Sequence, residues 1–142
     1  MIVAKTFKWE AAHRLPWHSG KCRHLHGHSY KMTIEFEGEQ DSHGFVIDFN
    51  EIKRIVGPYI EKIDHSTIIS EKDTELKEVF DAKSWRYFIL PYDSTAENLC
   101  HYFLNEIVQG SMEELRKNKI SAIGVKVFET GTSFAYLRKT LE

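Results

Sequence analysis

The chain has 142 residues, 42% of them apolar and 28% charged, with a formal net charge of −2. That length and apolar content suffice for one domain with a buried core. The mild negative charge argues against a nucleic-acid or membrane-surface protein, which would carry a basic stripe.

No apolar run approaches the roughly 20 residues of a membrane helix. The first fourteen residues, MIVAKTFKWEAAHR, lack the basic, apolar and small-residue succession of a secretory leader. The expected compartment is therefore the cytoplasm, where Cys22 and Cys100 would stay free thiols.

Residues 2–13 alternate, with Phe7, Trp9, Ala11 and His13 on one face of a predicted strand. Residues 14–25, with Pro16, Ser19 and Gly20, read as a loop. Residues 26–37 alternate again: Tyr30, Met32, Ile34 and Phe36 share one face, and Lys31, Thr33, Glu35 and Glu37 the other. A turn and a short extended piece at residues 45–48 follow. Ile52, Ile55, Val56, Tyr59, Ile60 and Ile63 then recur at helical spacing, with Gly57-Pro58 expected to kink or split the helix.

Residues 66–93 show no clear period and read as a loop with a short strand. Ser94-x-x-Glu97 has the pattern of a capping box before an amphipathic helix through Leu99, Phe103 and Ile107, which Gly110 would end. Ile123, Val125, Val127 and Glu129 share a strand face, Thr130-Gly131-Thr132 is a turn, and residues 133–139 form a last strand. The order ββ-α-α-ββ points to α+β: an antiparallel four-stranded sheet with two helices on one face.

His26 and His28 fall on the apolar side of the second predicted strand. His13 ends the apolar face of the first. A hairpin closed by residues 14–25 brings the three imidazoles together, the donor set of a three-histidine zinc site with an open fourth position. A lone histidine on such a face is ordinarily a hydrogen-bonded core residue; two at i, i+2 and a third at the adjoining strand end favour a metal. Geometry leaves 13/26/28 and 24/26/28 both open, because His24 shares the parity of His26. Cys22, between Lys21 and Arg23, is open to three readings: a fourth ligand, a reactive thiolate favoured by the neighbouring cations, or a loop cysteine. Asp64-His65, taken alone, reads as a helix C-terminal histidine on the dipole. Glu129, at the end of an apolar face, needs a partner or ligand unless it is solvated.

Taken together, AAHRL, KCRHLHGHSY, IDF, Asp64-His65, STAENL and FETGT resemble, in this order and over nearly the whole chain, the 6-pyruvoyl tetrahydropterin synthase / 6-carboxy-tetrahydropterin synthase family. The resemblance implies the T-fold, whose subunits join sheets into a barrel, usually as a homohexamer of two trimers. It implies zinc on His13, His26 and His28, with Cys22 as the catalytic thiol and His65, oriented by Asp64, as the second acid/base group. It further implies Glu129 as the carboxylate that grips the pterin edge and Thr95 as a pterin contact. Residue for residue, it favours His13 over His24 as the third ligand.

The substrate implied is 7,8-dihydroneopterin triphosphate. The three-residue gap between Cys22 and His26 is similar to the bacterial 6-carboxy-tetrahydropterin synthases of queuosine biosynthesis, which release acetaldehyde and triphosphate. The alternatives are a 6-pyruvoyl synthase releasing triphosphate only, or a non-catalytic zinc- or pterin-binding protein. Arg14, Lys21 and Arg23 are open to two readings, as triphosphate contacts or as a solvated loop. Residues 70–93 are longer than in the compact bacterial members, a departure that touches the pocket's approach or a contact between subunits.

Overall fold

In the computed structural model, which describes residues 1–142, β1 (Ile2–His13) and β2 (His26–Glu37) form a long antiparallel hairpin. Its register runs from Ile2↔Glu37 to His13↔His26. Alternation fixes that register: Trp9, Tyr30, Met32, Ile34 and Phe36 are buried, and a one-residue slip would turn the whole set to solvent. β5 (Ala122–Thr130) pairs with β2, and β6 (Ser133–Thr140) with β5, both antiparallel. The four expected strands are thus contiguous.

The sheet nevertheless has six strands, not four, in the order β4-β3-β1-β2-β5-β6. The added pair comes from the segment without a clear period. β3 (Ser66–Ser70) runs parallel to β1 through Ala11↔Ser66 and Ala12↔Thr67, and β4 (Tyr87–Leu90) runs parallel to β3. Between them lies α2 (Thr74–Lys83), capped by the Asp73 carboxylate, which accepts the Leu76 N–H. A parallel pair requires such a crossover.

Helix α1 (Phe49–Ile63) is capped by Asp48, which accepts the Asn50 N–H. It runs unbroken through Pro58, against the expected split. Pro58 forfeits one backbone donor, but Ile52, Ile55 and Val56 before it and Ile60 and Ile63 after it are all buried in the core, so packing holds the helix across the gap. Helix α3 (Ala96–Gly110) buries Leu99, Cys100, Phe103, Leu104, Ile107 and Val108, and the short α4 (Met112–Lys117) follows, so Gly110 is the end expected. A side chain at Gly110 would collide with the Tyr59 hydroxyl, which fixes the close approach of α3 to α1.

These helices and the inward sheet face enclose one large core cluster. The opposite face is polar: Tyr136 donates to Glu35 at 2.6 Å, Arg138 pairs with Glu37, and Thr6 bonds Thr33. No helix of this chain covers it. Because β3 meets β1 only at Ala11 and Ala12, residues 2–9 of β1 leave a long backbone edge without a strand.

Candidate metal centre and active-site cleft

The hairpin register sets His13 opposite His26, and the strand period brings His28 to the same side. The ring centroids lie 4.7 Å (His13–His26), 5.1 Å (His13–His28) and 4.8 Å (His26–His28) apart, and the candidate ligand nitrogens are all within 4.8 Å of one another. His13 Nδ1 lies 2.8 Å from the Ser94 carbonyl and 3.1 Å from its hydroxyl. His26 Nδ1 lies 2.6 Å from the His24 carbonyl. Each such bond assigns the Nδ1 proton to a carbonyl and leaves Nε2 as a lone-pair donor.

Burial, reinforced by His26 and His28, lowers the His13 pKa to about 4 despite its bond to Ser94. Burial and His26 lower that of His28. Both rings are thus neutral at pH 7, the form a metal needs. His13 Nε2 and His28 Nε2 are buried with no hydrogen-bond partner. Orphaned nitrogens of neutral imidazoles fit a bound cation of the zinc type, whose three-histidine sites keep one position open. His24 is not part of the cluster: its ring is exposed and accepts from Arg23.

Beside the triad opens a cleft of about 260 Å³, with Cys22, Thr95, Glu97 and Glu129 in its wall. Cys22 is half-buried on a 3-10 turn (Lys21–Arg23) that is tied to the strand end by the Leu15 N–H donating to the Cys22 carbonyl, 2.8 Å. Glu129 lies at a β-bulge between the pairs Phe128↔Phe134 and Thr130↔Ser133. A bulge frees one residue from the ladder and re-aims its side chain. Glu129 Oε1 stands 3.7 Å from His13 Nε2. Its burial, with the nearby Glu97 charge, raises its pKa, and His26 opposes the rise.

Thr95, not Ser94, caps α3: its hydroxyl accepts the Asn98 N–H at 3.2 Å. The expected capping box is therefore off by one residue. Ser94 serves His13 instead, and Glu97 is left free to line the cleft.

Asp64 and His65 lie elsewhere. His65 Nδ1 is 2.9 Å from Asp64 Oδ1, which also accepts the Glu10 N–H at 2.9 Å. The Glu10 bond, ahead of the His65 contact, holds the Asp64 carboxyl below its ordinary pKa. His65 adopts a left-handed backbone (φ 57°), a strain on the order of 1 kcal/mol, and its own N–H donates to the Glu10 carbonyl at 2.7 Å. Its side chain is 77% exposed. It borders a shallow cleft with Glu10, Ala11, Gly27, His28 and Ser29. Within one chain, His65 and Cys22 do not share a cleft.

A model of the 6-pyruvoyl tetrahydropterin synthase family matches residues 2–140. The chain belongs to that family. Among its relatives, the 6-carboxy-5,6,7,8-tetrahydropterin synthase of Haemophilus influenzae is 30% identical over 140 residues, covering 93% of this chain and 94% of its own. The protein of the same name from Rickettsia bellii is 31% identical over 133 residues, covering 92% and 94%. The solved 6-pyruvoyl tetrahydropterin synthase of Plasmodium vivax superposes with a TM-score of 0.78 at 18% identity, over 99% of each chain. That of Caenorhabditis elegans gives 0.68 at 20%, over 99% of this chain and 96% of its own. At such identities the likeness shows the fold, which is the expected T-fold.

The synthase fold also corrects one expectation. Arg14 is not free for a triphosphate: its Nε donates to Asp73 Oδ2 at 2.8 Å and its Nη2 to Asp73 Oδ1 at 2.7 Å, with Glu75 at 4.0 Å. Two residues of the site are not visible in the sequence, Ser94 and Glu97, because both fall in the capping pattern that the structure shifts by one position.

Proposed function

We propose that this synthase converts 7,8-dihydroneopterin triphosphate to 6-carboxy-5,6,7,8-tetrahydropterin, releasing triphosphate and acetaldehyde. The carrying observation is the three-histidine centre with orphaned Nε2 atoms opening beside a thiol and two carboxylates. The names of relatives about 30% identical over nearly the full chain support the choice of product.

Zinc on His13, His26 and His28 would supply Lewis acidity toward the hydroxyl oxygens of the substrate side chain. The remaining roles belong to the protein. Cys22, as thiolate, takes a proton from the side-chain carbon. Glu129 accepts the paired N–H donors of the pterin edge, and its raised pKa falls once those donors are in place. Thr95 anchors the start of α3 at the cleft wall, where its backbone and hydroxyl border the ring. His65, fixed by Asp64, returns a proton to the product. Triphosphate leaves by elimination, and a water molecule cleaves the resulting dicarbonyl side chain into the carboxylate and acetaldehyde.

His65 and Cys22 line different clefts of one chain, so in this reading His65 serves a neighbouring copy. The bare β1 edge and the uncovered face are the surfaces such a homohexamer of two trimers would close. No helix is long and apolar enough to cross a membrane; the setting proposed for the reaction is the queuosine/7-deazaguanine pathway of the cytoplasm. The test is incubation of the zinc-loaded protein with 7,8-dihydroneopterin triphosphate and mass analysis of the products. Acetaldehyde with a carboxypterin supports the reading; triphosphate with a pyruvoyl pterin moves the chain to the 6-pyruvoyl reaction. Neither product removes the enzyme assignment.

A further inference from the structure

Four buried side-chain atoms lack any hydrogen-bond partner: Trp9 Nε1, His13 Nε2, His28 Nε2 and Tyr30 Oη. They belong to one column of touching rings. Tyr30 presents its ring edge-to-face to His28 (centroids 5.4 Å, 74°) and to His13 (6.0 Å, 79°), and stacks flat on Trp9 (5.0 Å, 4°). Trp9 is its cross-strand partner, and both rings are 1% exposed. On the other flank, Lys31 pairs with Phe128, so Tyr30 lies across from Glu129 at the bulge. The phenol is thus bounded by the metal triad, the bulge carboxylate and a flat aromatic wall that fixes its ring.

A phenol in so dry a place ordinarily finds a partner, because an unpaired buried hydroxyl has given up its bonds to water for nothing. A phenol is a proton donor at neutral pH, so its unpartnered Oη–H is available to a ligand oxygen. Among the imidazoles, His13 Nδ1–H and His26 Nδ1–H already meet carbonyls; the other unpartnered donor, Trp9 Nε1–H, belongs to the ring stacked on Tyr30, whereas Tyr30 itself touches both His13 and His28.

We propose that Tyr30 is a further binding residue of this site, whose O–H donates a hydrogen bond to a side-chain hydroxyl oxygen of the ligand entering between the imidazoles and Glu129. The proposal rests on the pterin reading above. It assigns Tyr30 to the side chain of the pterin and leaves the ring edge to Glu129, so the two residues recognise different halves of one ligand.

The distinguishing experiment uses zinc-loaded wild type and Tyr30→Phe, titrated at equilibrium with neopterin, which carries the trihydroxypropyl side chain, and with 6-methylpterin, which has no hydroxyls. Metal content and melting temperature are measured alongside. The proposal expects Tyr30→Phe to keep stoichiometric zinc and to melt no lower than wild type, because an orphaned polar atom has been removed from an apolar column. It expects neopterin to bind about tenfold more weakly and 6-methylpterin to be unchanged. An equal loss for both ligands, or no loss for either, overturns it. So does a lower melting temperature with unchanged affinities, which would mean that the hydroxyl is satisfied structurally, and so does loss of zinc. If wild type itself binds neither pterin, the pterin reading fails and the proposal falls with it; wild type preferring neopterin while Tyr30→Phe does the same sinks the proposal alone.

Discussion

Arg14, the residue after a metal-ligand candidate, holds Asp73, the N-cap of α2, by a two-pronged ion pair. The contact joins the end of β1 to the inserted crossover across 59 residues. It explains why that insertion sits beside the site. Asp73→Ala removes a largely buried partner of a guanidinium and a helix cap at once, and should destabilise the protein by about 2–4 kcal/mol in denaturant unfolding. The Arg14 bond holds the Asp73 carboxyl below its ordinary value of 3.8. A depressed carboxyl contributes stability above that value and loses it as pH falls through the lower, folded one. Wild type should therefore lose this increment in acid, and Asp73→Ala should show a flatter stability curve there.

His13 carries a second pH signature in the metal-free protein. Its pKa drops from 6.5 to about 4 on folding. The folded state prefers the neutral ring, so its contribution is complete above pH 6.5 and is lost between 6.5 and about 4. The loss should be on the order of 3 kcal/mol across that window. Zinc-loaded protein should resist until protons displace the metal, and His26→Ala should retain no stoichiometric zinc by elemental analysis.

The two thiols should separate cleanly under alkylation. Cys100 is buried, donates to the Ala135 carbonyl at 3.3 Å, and burial pushes its pKa to about 11. Cys22 is partly open on its turn. Iodoacetamide should modify Cys22 first in native protein, abolish turnover in proportion, and leave Cys100 intact by peptide mapping. Full activity after complete Cys22 modification would remove its catalytic role.

Glu129→Gln keeps the side-chain shape but turns one acceptor into a donor facing another donor. The kcat/KM should fall about 30- to 1,000-fold, with zinc content unchanged. Loss of metal with unchanged substrate affinity would instead place Glu129 among the ligands.

Inactive Cys22→Ala and inactive His65→Ala chains should regain activity when unfolded and refolded together, because some sites then receive Cys22 from one chain and His65 from another. Activity that stays absent in the mixture, while wild type refolds well, would require both groups to come from a single chain.

Two members of the candidate triad were legible in the sequence because a strand's period of two is rigid and His26 and His28 cannot face apart; the choice between His13 and His24 rests on the register that sets His13 opposite His26. His24 lies before the strand with its ring exposed and accepting from Arg23, and contributes only its carbonyl, which meets His26 Nδ1; such backbone roles leave no trace in residue type. β3 was unreadable for a different reason. All five of its residues are buried, so the alternation that marks a half-exposed strand is missing. The position of Glu129 in the last inward row was visible; the bulge that aims it was not, because it depends on the pairing of Phe128 and Thr130 across the turn.

The bond from His13 to Ser94 joins residues 81 positions apart. The three imidazoles themselves sit on one hairpin, β1–β2, whereas the Ser94 carbonyl comes from beyond β4 in the chain, and local hairpins generally form faster than contacts of long sequence separation. During synthesis at roughly 5–20 residues per second, the histidines emerge seconds before the carbonyl that fixes the His13 proton. A nascent chain therefore displays imidazoles whose tautomers are still free, and metal captured then would be held loosely and exchangeably. The tight centre is a product of completed folding, so metal retention doubles as a report on whether the far half of the chain has arrived.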